Sequence, residues 1–289
     1  MSQRLLIPVA LVISACLIVP LGGASGTPVS FGRVRDSFQP SRGKIFVLVI
    51  GNDARTGNPN ARADAVHLAG VNTRTMKGGV LNFPRDSWVP IPGYGSGRIN
   101  EALVLGGPEL LVQTVENLTG IKIDYWVMVG FEGFRGIIRD LNGVPFKITR
   151  SIYDPGGSGA RLPAGKKHLG AENALAYVRT RKSLPNGDID RTTNQGRFLL
   201  ALLRKLNRDV ARRPSSLLAW IDTTRRWARF DLSPDDMFRL GILASQVRPR
   251  DVENVTVPVT LGSVGGASVV FIQEDARSLY TRFARTGSL

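Results

Sequence analysis

Three pairings of aspartate with arginine stand close together near the front of this 289-residue chain: Asp53 and Arg55 in GNDAR, Arg62 and Asp64 in NARAD, and Arg85 and Asp86 in NFPRD. Each borders a run of apolar and β-branched residues, so each is expected at the end of a buried strand. Side chains two apart in an extended segment point the same way. Asp53 with Arg55, and Arg62 with Asp64, can therefore each share a face. Carboxylates beside guanidiniums supply hard oxygen ligands for a divalent cation and counter-charge for phosphate on one substrate. Surface salt bridges use the same residue types, but three pairs, each behind a predicted buried strand, favour a site.

The stretch VRTRKSLPNGDIDRTTNQGR, residues 178–197, repeats the pattern with Arg179, Arg181, Arg191 and Arg197 interleaved with Asp188 and Asp190. Arg179 and Arg181 follow a predicted helix ending near Val178. Arg191 and Gln195 fall at or near the start of a long helix, where free N–H groups and the positive dipole end favour phosphate. A solvated, self-paired loop is the alternative reading of these residues. Other chemistries lack their signatures. His67 and His168 have no metal-ligand spacing, Cys16 is the single cysteine, and neither a G-x-S-x-G elbow nor a Walker-type loop is present. The glycine-rich GYGSG, residues 93–97, reads as a turn.

The elements that must carry these residues follow from periodicity. KIFVLVIGND, Ala65 to Val71 and Gly79 to Phe83 read as buried strands, and residues 123–131 as another. Residues 107–120, 132–144, 171–180, 195–213, 215–227 and 233–246 read as helices, the last capped by Ser233 with Asp236. Further strands are expected near Val255 to Val259 and Ser268 to Ile272, with a final helix near Asp275 to Phe283. Alternating strands and helices predict an α/β fold, an αβα sandwich with a central mixed sheet flanked by helices. With 43% hydrophobic residues the chain can bury a core.

Thirty-eight basic against 23 acidic residues give a net charge of +15, and only eight of the basic residues are lysine. The charge suits a polyanionic partner, and arginine's fork suits phosphate. An apolar run from Leu5 to Leu21 behind a single arginine predicts a membrane anchor over residues 1–22. Ile13-Ser14-Ala15-Cys16 is similar to a lipoprotein processing site, yet the apolar residues after Cys16 favour an uncleaved anchor. Residues 23–43 read as a tether and 44–289 as a single extracytoplasmic domain. Only four residues precede the apolar run, which leaves no cytoplasmic basic helix pair for DNA, so nucleic acid is not expected as a partner.

The motifs, in order and spacing, resemble the LytR-CpsA-Psr family of exported bacterial proteins from about Phe46 to Leu206. Gly51-Asn52-Asp53-Ala54-Arg55, Arg62-Ala63-Asp64, Pro84-Arg85-Asp86, Arg98-Ile99-Asn100 and the helix 171–181 with Tyr177, Arg179 and Arg181 each match a family motif. The resemblance implies a membrane-anchored phosphotransferase. It would move a glycopolymer from a polyprenyl-pyrophosphate carrier to a hydroxyl of peptidoglycan or a similar wall acceptor, with Mg²⁺ or another divalent cation. It implies Asp53 and Asp64 as metal ligands, and Arg55, Arg62, Arg85, Arg98, Arg179, Arg181, Arg191 and Gln195 around the pyrophosphate. Asp64, Asp86 and Asp190 are the candidates for a general base, Asp64, Arg85 and Asp86 forming the catalytic set. A lipid slot is expected between the sheet and helices carrying Leu110, Leu111, Val115, Phe131, Phe134 and Ile138. Asn194 stands where the family usually has arginine, which would remove one positive charge near the site. A non-catalytic polyprenyl-phosphate-binding or regulatory protein is the competing reading.

Overall fold

The computed structural model describes residues 43–53 and 61–289, all within one structural unit. The expected anchor, nearly all of the tether and Arg55 lie outside the described residues. Among the described residues no helix is long and apolar enough to cross a membrane.

The chain starts with three strands, β1 (Lys44–Asn52), β2 (Ala63–Asn72) and β3 (Gly78–Phe83). A small hairpin, β4 (Trp88–Ile91) with β5 (Gly95–Arg98), then leads into α1 (Glu101–Thr119), β6 (Tyr125–Val129) and α2 (Phe131–Asp140). Four short strands follow, β7 (Val144–Ile148), β8 (Ile152–Asp154), β9 (Ala160–Leu162) and β10 (Gly165–Leu169), paired as two antiparallel ribbons. Next come α3 (Ala171–Arg179), α4 (Asp188–Arg212), α5 (Ser216–Trp227), β11 (Arg229–Phe230) and α6 (Pro234–Gln246). The chain closes with β12 (Val252–Thr256), the hairpin β13 (Val259–Val264) and β14 (Ala267–Ile272), and α7 (Ala276–Thr286).

The main sheet runs β11-β6-β1-β2-β3-β12, with β1–β6 and β3–β12 parallel and the other pairs antiparallel. It is the mixed central sheet the element pattern predicts. On one face Phe46, Leu48 and Ile50 of β1 pack with Leu111 and Val115 of α1 and with Tyr280 and Phe283 of α7. Phe46 meets Phe283 edge to face at 5.1 Å. A second cluster, around Ile138, Phe146, Tyr177 and Phe198, ties α2, α3 and α4 together. Ser233 caps α6 as expected, its Oγ accepting the Asp236 N–H at 3.1 Å.

Three expectations need correction. Helix α1 begins at Glu101, six residues early, and its backbone leaves helical geometry at Gly106 and Gly107; the apolar repeat marks only the part after this kink. Helix α4 begins at Asp188 rather than Gln195. Apart from Ile189 its first two turns are polar and show no apolar period, yet they are held against the sheet. A Cβ on Gly196 would fall 1.9 Å from Asn254 Oδ1 and 2.6 Å from Asn82 Oδ1, so glycine permits this approach. Asn254 in turn donates to the Thr193 carbonyl, and the Thr193 and Thr256 hydroxyls meet at 2.7 Å. Finally, the turn read at residues 93–97 is only the tip and second strand of a hairpin over residues 88–98, with Gly93 and Gly95 at positive φ.

Candidate active site

The acidic and basic pairs converge because their strands are neighbours. Strands β1 and β2 pair antiparallel with an irregularity at Gly51/Asn52, so the end of β1 and the start of β2 meet. Across that end the Asp53 N–H donates to the Arg62 carbonyl, and the Arg62 N–H donates to Asp53 Oδ1 at 2.9 Å. Strand β3 delivers Arg85 to the same edge. Its turn is fixed by Ser87, whose N–H and hydroxyl both donate to the Pro84 carbonyl. Arg85 Nη1 then lies 2.5 Å from Asp64 Oδ1, while its Nε is 3.6 Å from Asp188 and 3.7 Å from Asp86.

The early start of α4 supplies the opposite wall. Asp188 and Arg191, three apart on the helix, form an ion pair at 2.6 Å. Arg191 is only 7% exposed and Gln195 9%. Burial pushes the Asp188 carboxyl above its ordinary range, against the pull of Arg191 and Arg85. Burial likewise lowers the Arg191 guanidinium, against Asp188. For Arg85 burial acts in the same direction, but the carboxylates of Asp188 and Asp64 outweigh it and hold the guanidinium above its usual value. These residues make one coupled charge network.

A cavity of about 510 Å³ opens between the sheet and helices α2, α3 and α4. Asp64, Arg85, Arg179, Arg181, Lys182, Arg191 and Gln195 line it at the strand ends and the start of α4. Phe131, Phe134, Ile138, Leu175, Phe198 and Leu202 line the remainder. From Arg191 to Leu202 the helix rises about 16 Å, so a charged end passes into a long apolar one. Arg179 also lies over the Phe131 ring, 4.7 Å from its centroid, where the two regions meet.

Several predicted residues fall elsewhere. Leu111 and Val115 belong to the core on the other sheet face, and Leu110 packs against it; α1 therefore contributes nothing to the slot, while Phe131, Phe134 and Ile138 do. Asp53, Asp86 and Arg98 do not line the cavity, Asp53 lying just beyond Asn52 at its rim. Asp86 stands between Arg85 and Arg98, at 3.7 and 3.8 Å, and Arg98 donates to the Ser268 carbonyl. The Arg62 side chain is exposed and outside the lining. Asp190, Asn194 and Arg197 sit on the other side of α4, along a separate groove. Asp190 is held there by the N–H and amide of Asn186, so of the three candidate bases only Asp64 lines the cavity. The missing charge at Asn194 is thus not missing from this cavity. Sequence reasoning passed over Asp188 and Lys182; the i, i+3 spacing of Asp188 and Arg191 was the available signal, hidden by the late helix start.

The donor set fits a hard divalent cation. Asp64 gives one oxygen to Arg85 and Asp53 one to the Arg62 N–H, leaving each a second carboxylate oxygen among the described contacts. Mg²⁺ is commonly held by one or two carboxylates, with water and phosphate oxygens completing its shell. No group of three or more His, Cys, Asp or Glu residues suited to a metal occurs among the described residues. The pair alone is not a closed cage.

His67, on β2 at the cavity wall, is fully buried with Nδ1 2.7 Å from Asn82 Oδ1. Asn82 gives its amide hydrogens to Asn254 and to the Val255 carbonyl, so its oxygen accepts from His67. Burial lowers the imidazole pKa to about 4, with Asn82 and Gln195 opposing. The native state therefore binds fewer protons than the unfolded chain between about 6.5 and 4. Stability from this group is complete above the unfolded value and is lost as pH falls toward 4, by roughly 3 kcal/mol. Denaturant titrations at pH 7 and 4.5 should show His67→Met losing less stability on acidification than the wild type. Equal losses would rule out a neutral buried His67.

The profile of the LytR_cpsA_psr family matches residues 25–283. Among curated proteins, the polyisoprenyl-teichoic acid–peptidoglycan teichoic acid transferase TagT of Bacillus subtilis (strain 168) is 33% identical over 238 residues, covering 78% of this chain and 71% of that protein. The regulatory protein MsrR of Staphylococcus aureus (strain COL) is 31% identical over 221 residues, 75% of this chain and 65% of that protein. The chain thus spans just under two thirds of the length of MsrR. Among solved structures, the LytR-CPS2A-psr family protein YwtF (TagT) with bound octaprenyl pyrophosphate lipid aligns with a TM-score of 0.66 at 25% identity, over 88% of this chain and 94% of that one.

Proposed function

Because the chain belongs to the LytR_cpsA_psr family, we propose that it is a phosphotransferase that moves a glycopolymer from a polyprenyl-pyrophosphate carrier to a hydroxyl of peptidoglycan or a similar wall acceptor. The observation that carries this reading is the joined cavity: arginines and carboxylates at one end, a long apolar lining at the other. A prenyl pyrophosphate has that same division. TagT is named for such a transfer, and a TagT structure holds octaprenyl pyrophosphate. The apolar segment before the tether holds the body at the membrane on the extracytoplasmic side, where the wall acceptor is found.

In the reaction the acceptor oxygen attacks the phosphorus that carries the glycan. A new P–O bond forms, the P–O bond of the anhydride breaks, and polyprenyl monophosphate departs with the electron pair. Arg85, Arg181 and Arg191 neutralise the phosphate oxygens as charge shifts onto the leaving group, the main protein contribution in phosphoryl transfer. Asp188, between Arg191 and Arg85, and Asp86, between Arg85 and Arg98, position those guanidiniums. Asp53 and Asp64 would hold Mg²⁺, which would supply further neutralisation of phosphate charge. Asp64, the one candidate base that lines the cavity, takes the acceptor's proton. Phe131, Phe134 and Phe198 take the prenyl chain and exclude water.

The purified full chain in detergent, with Mg²⁺, a synthetic polyprenyl-pyrophosphate glycan and peptidoglycan fragments, should release polyprenyl phosphate and form a phosphodiester-linked product. Phe134→Asp should weaken a long-chain donor about 10- to 100-fold, the worth of one buried aromatic contact, with a short-chain donor much less affected. Tight donor binding without turnover under these conditions would favour a regulatory role of the kind the name MsrR carries.

A further inference from the structure

His67 stands between two amide side chains that their own partners hold in place. On one side Asn82 gives its amide hydrogens to Asn254 and Val255, which turns its oxygen to His67 Nδ1 at 2.7 Å. On the other side Gln195 donates to the Val178 carbonyl at 3.1 Å, and its side chain lies within hydrogen-bonding reach of the imidazole. Since Nδ1 is taken, Gln195 meets the ring at Nε2. Neither His67 Nε2 nor Gln195 Oε1 completes a hydrogen bond among the described residues, and both atoms are enclosed. A neutral imidazole carries one N–H. Asn82 accepts it, which leaves Nε2 as a bare acceptor opposite a second acceptor. Turning the Gln195 amide over would point its oxygen at the Val178 carbonyl and only move the conflict. The doubly protonated ring has a donor for each oxygen. The hydrogen-bond surroundings therefore suit imidazolium, and burial is what keeps the second proton off, holding the pKa at about 4 while both amides pull it upward.

Among the described residues no charged group enters that balance. Val49 of β1 and Asn82 of β3 are the strand neighbours of His67. Of the charged groups in the same cavity, Asp64 and Arg85 at the strand ends pair with each other, as do Asp188 and Arg191 on α4. Arg179, Arg181, Lys182 and Asp154 complete the charged lining. Gln195 follows Arg191 by one turn on the cavity side of α4, about 6 Å along the axis. A phosphate group held at Arg191 thus brings negative charge near a ring whose protonation only burial opposes, and in a desolvated cavity such a charge favours the cation.

We propose that His67 is a positioning residue that takes a proton from solvent when the anionic donor binds, its two ring N–H groups then fixing Asn82 and Gln195 behind the pyrophosphate. The role rests on the donor reading above, and no bond to the donor is made or broken by it. His67 and His168 are the only histidines of the chain, and His168 is exposed, so imidazole ¹⁵N NMR of the full chain in detergent reads each ring separately. Near pH 6 without ligand, His67 should be neutral with its proton on Nδ1. A short-chain prenyl-pyrophosphate glycan, whose phosphates do not titrate in this range, should convert it to the doubly protonated form and leave His168 unchanged. Calorimetry should show donor affinity rising as the pH falls from 7 to 5, by up to about tenfold per pH unit, and staying level in His67→Met. The wild-type spectrum decides the matter even where His67→Met fails to fold. A bound donor beside an unprotonated Nε2, or the same pH slope in His67→Met, overturns the role. A donor that gives no binding heat at any pH removes the donor reading, and this role with it.

Discussion

Arg85→Ala is expected to lower kcat/KM for glycan transfer by about 10²–10³-fold, roughly 2.7–4 kcal/mol, the usual cost of deleting one preorganised donor from a site of developing negative charge. Arg85 sits at the centre of the network, 2.5 Å from Asp64 and within 3.7 Å of Asp86 and Asp188. Its alanine variant removes a cation from the cavity and leaves three carboxylates with less opposing charge. Arg85→Lys should recover only part of the loss, because an ammonium cannot reproduce the fork that spans Asp64 and Asp188. Thermal denaturation keeps the interpretation clean: the fold should persist, since Arg85 lies at a strand end rather than in the core. Turnover at the wild-type rate would remove Arg85 from the catalytic set.

Asp64→Ala is expected to cost at least as much, about 10³-fold, because one side chain serves two tasks besides taking the acceptor's proton. It offers an oxygen to the cation and holds the Arg85 guanidinium. Residues acting as a unit are strongly non-additive, so the Asp64→Ala/Arg85→Ala double variant should be little worse than either single one. A readout independent of turnover is available. Mg²⁺ with inorganic pyrophosphate should raise the melting temperature of the wild type by mass action, and Asp64→Ala should lose that shift. A double variant whose losses multiply, or an Asp64→Ala protein with the full Mg²⁺ shift, would separate Asp64 from both roles.

Much of this site was legible before any fold was known. Strands β1 to β3 are apolar and β-branched, and they stop at polar turns, so Asp53, Asp64 and Arg85 could be placed at strand ends. The start of α4 could not be read the same way. Apart from Ile189, residues 188–194 are polar and have no apolar period, and what makes them helical is contact: Gly196 pressed on Asn254 and Asn82, and Thr193 on Thr256. Placing the helix start at Gln195 hid Asp188 and put Asn194 beside the cavity. On the true helix Arg191, Gln195, Phe198 and Leu202 share the cavity side, while Asp190, Asn194 and Arg197 share the groove.

The lipid slot shows the same boundary. Helices α1 and α2 both carry apolar faces, and an apolar face demands burial without saying against which side of a sheet. Leu111 and Val115 went to the core shared with α7, and Phe134 and Ile138 to the cavity. Composition and local pattern determined the α/β class, the strand-end charges and the family, because these depend on residue type and on spacing within a few positions. The tertiary structure alone decided which charges face one another, which helix roofs the cavity and which side of α4 each residue serves. Those outcomes depend on packing between segments distant in the chain, and no local period encodes it.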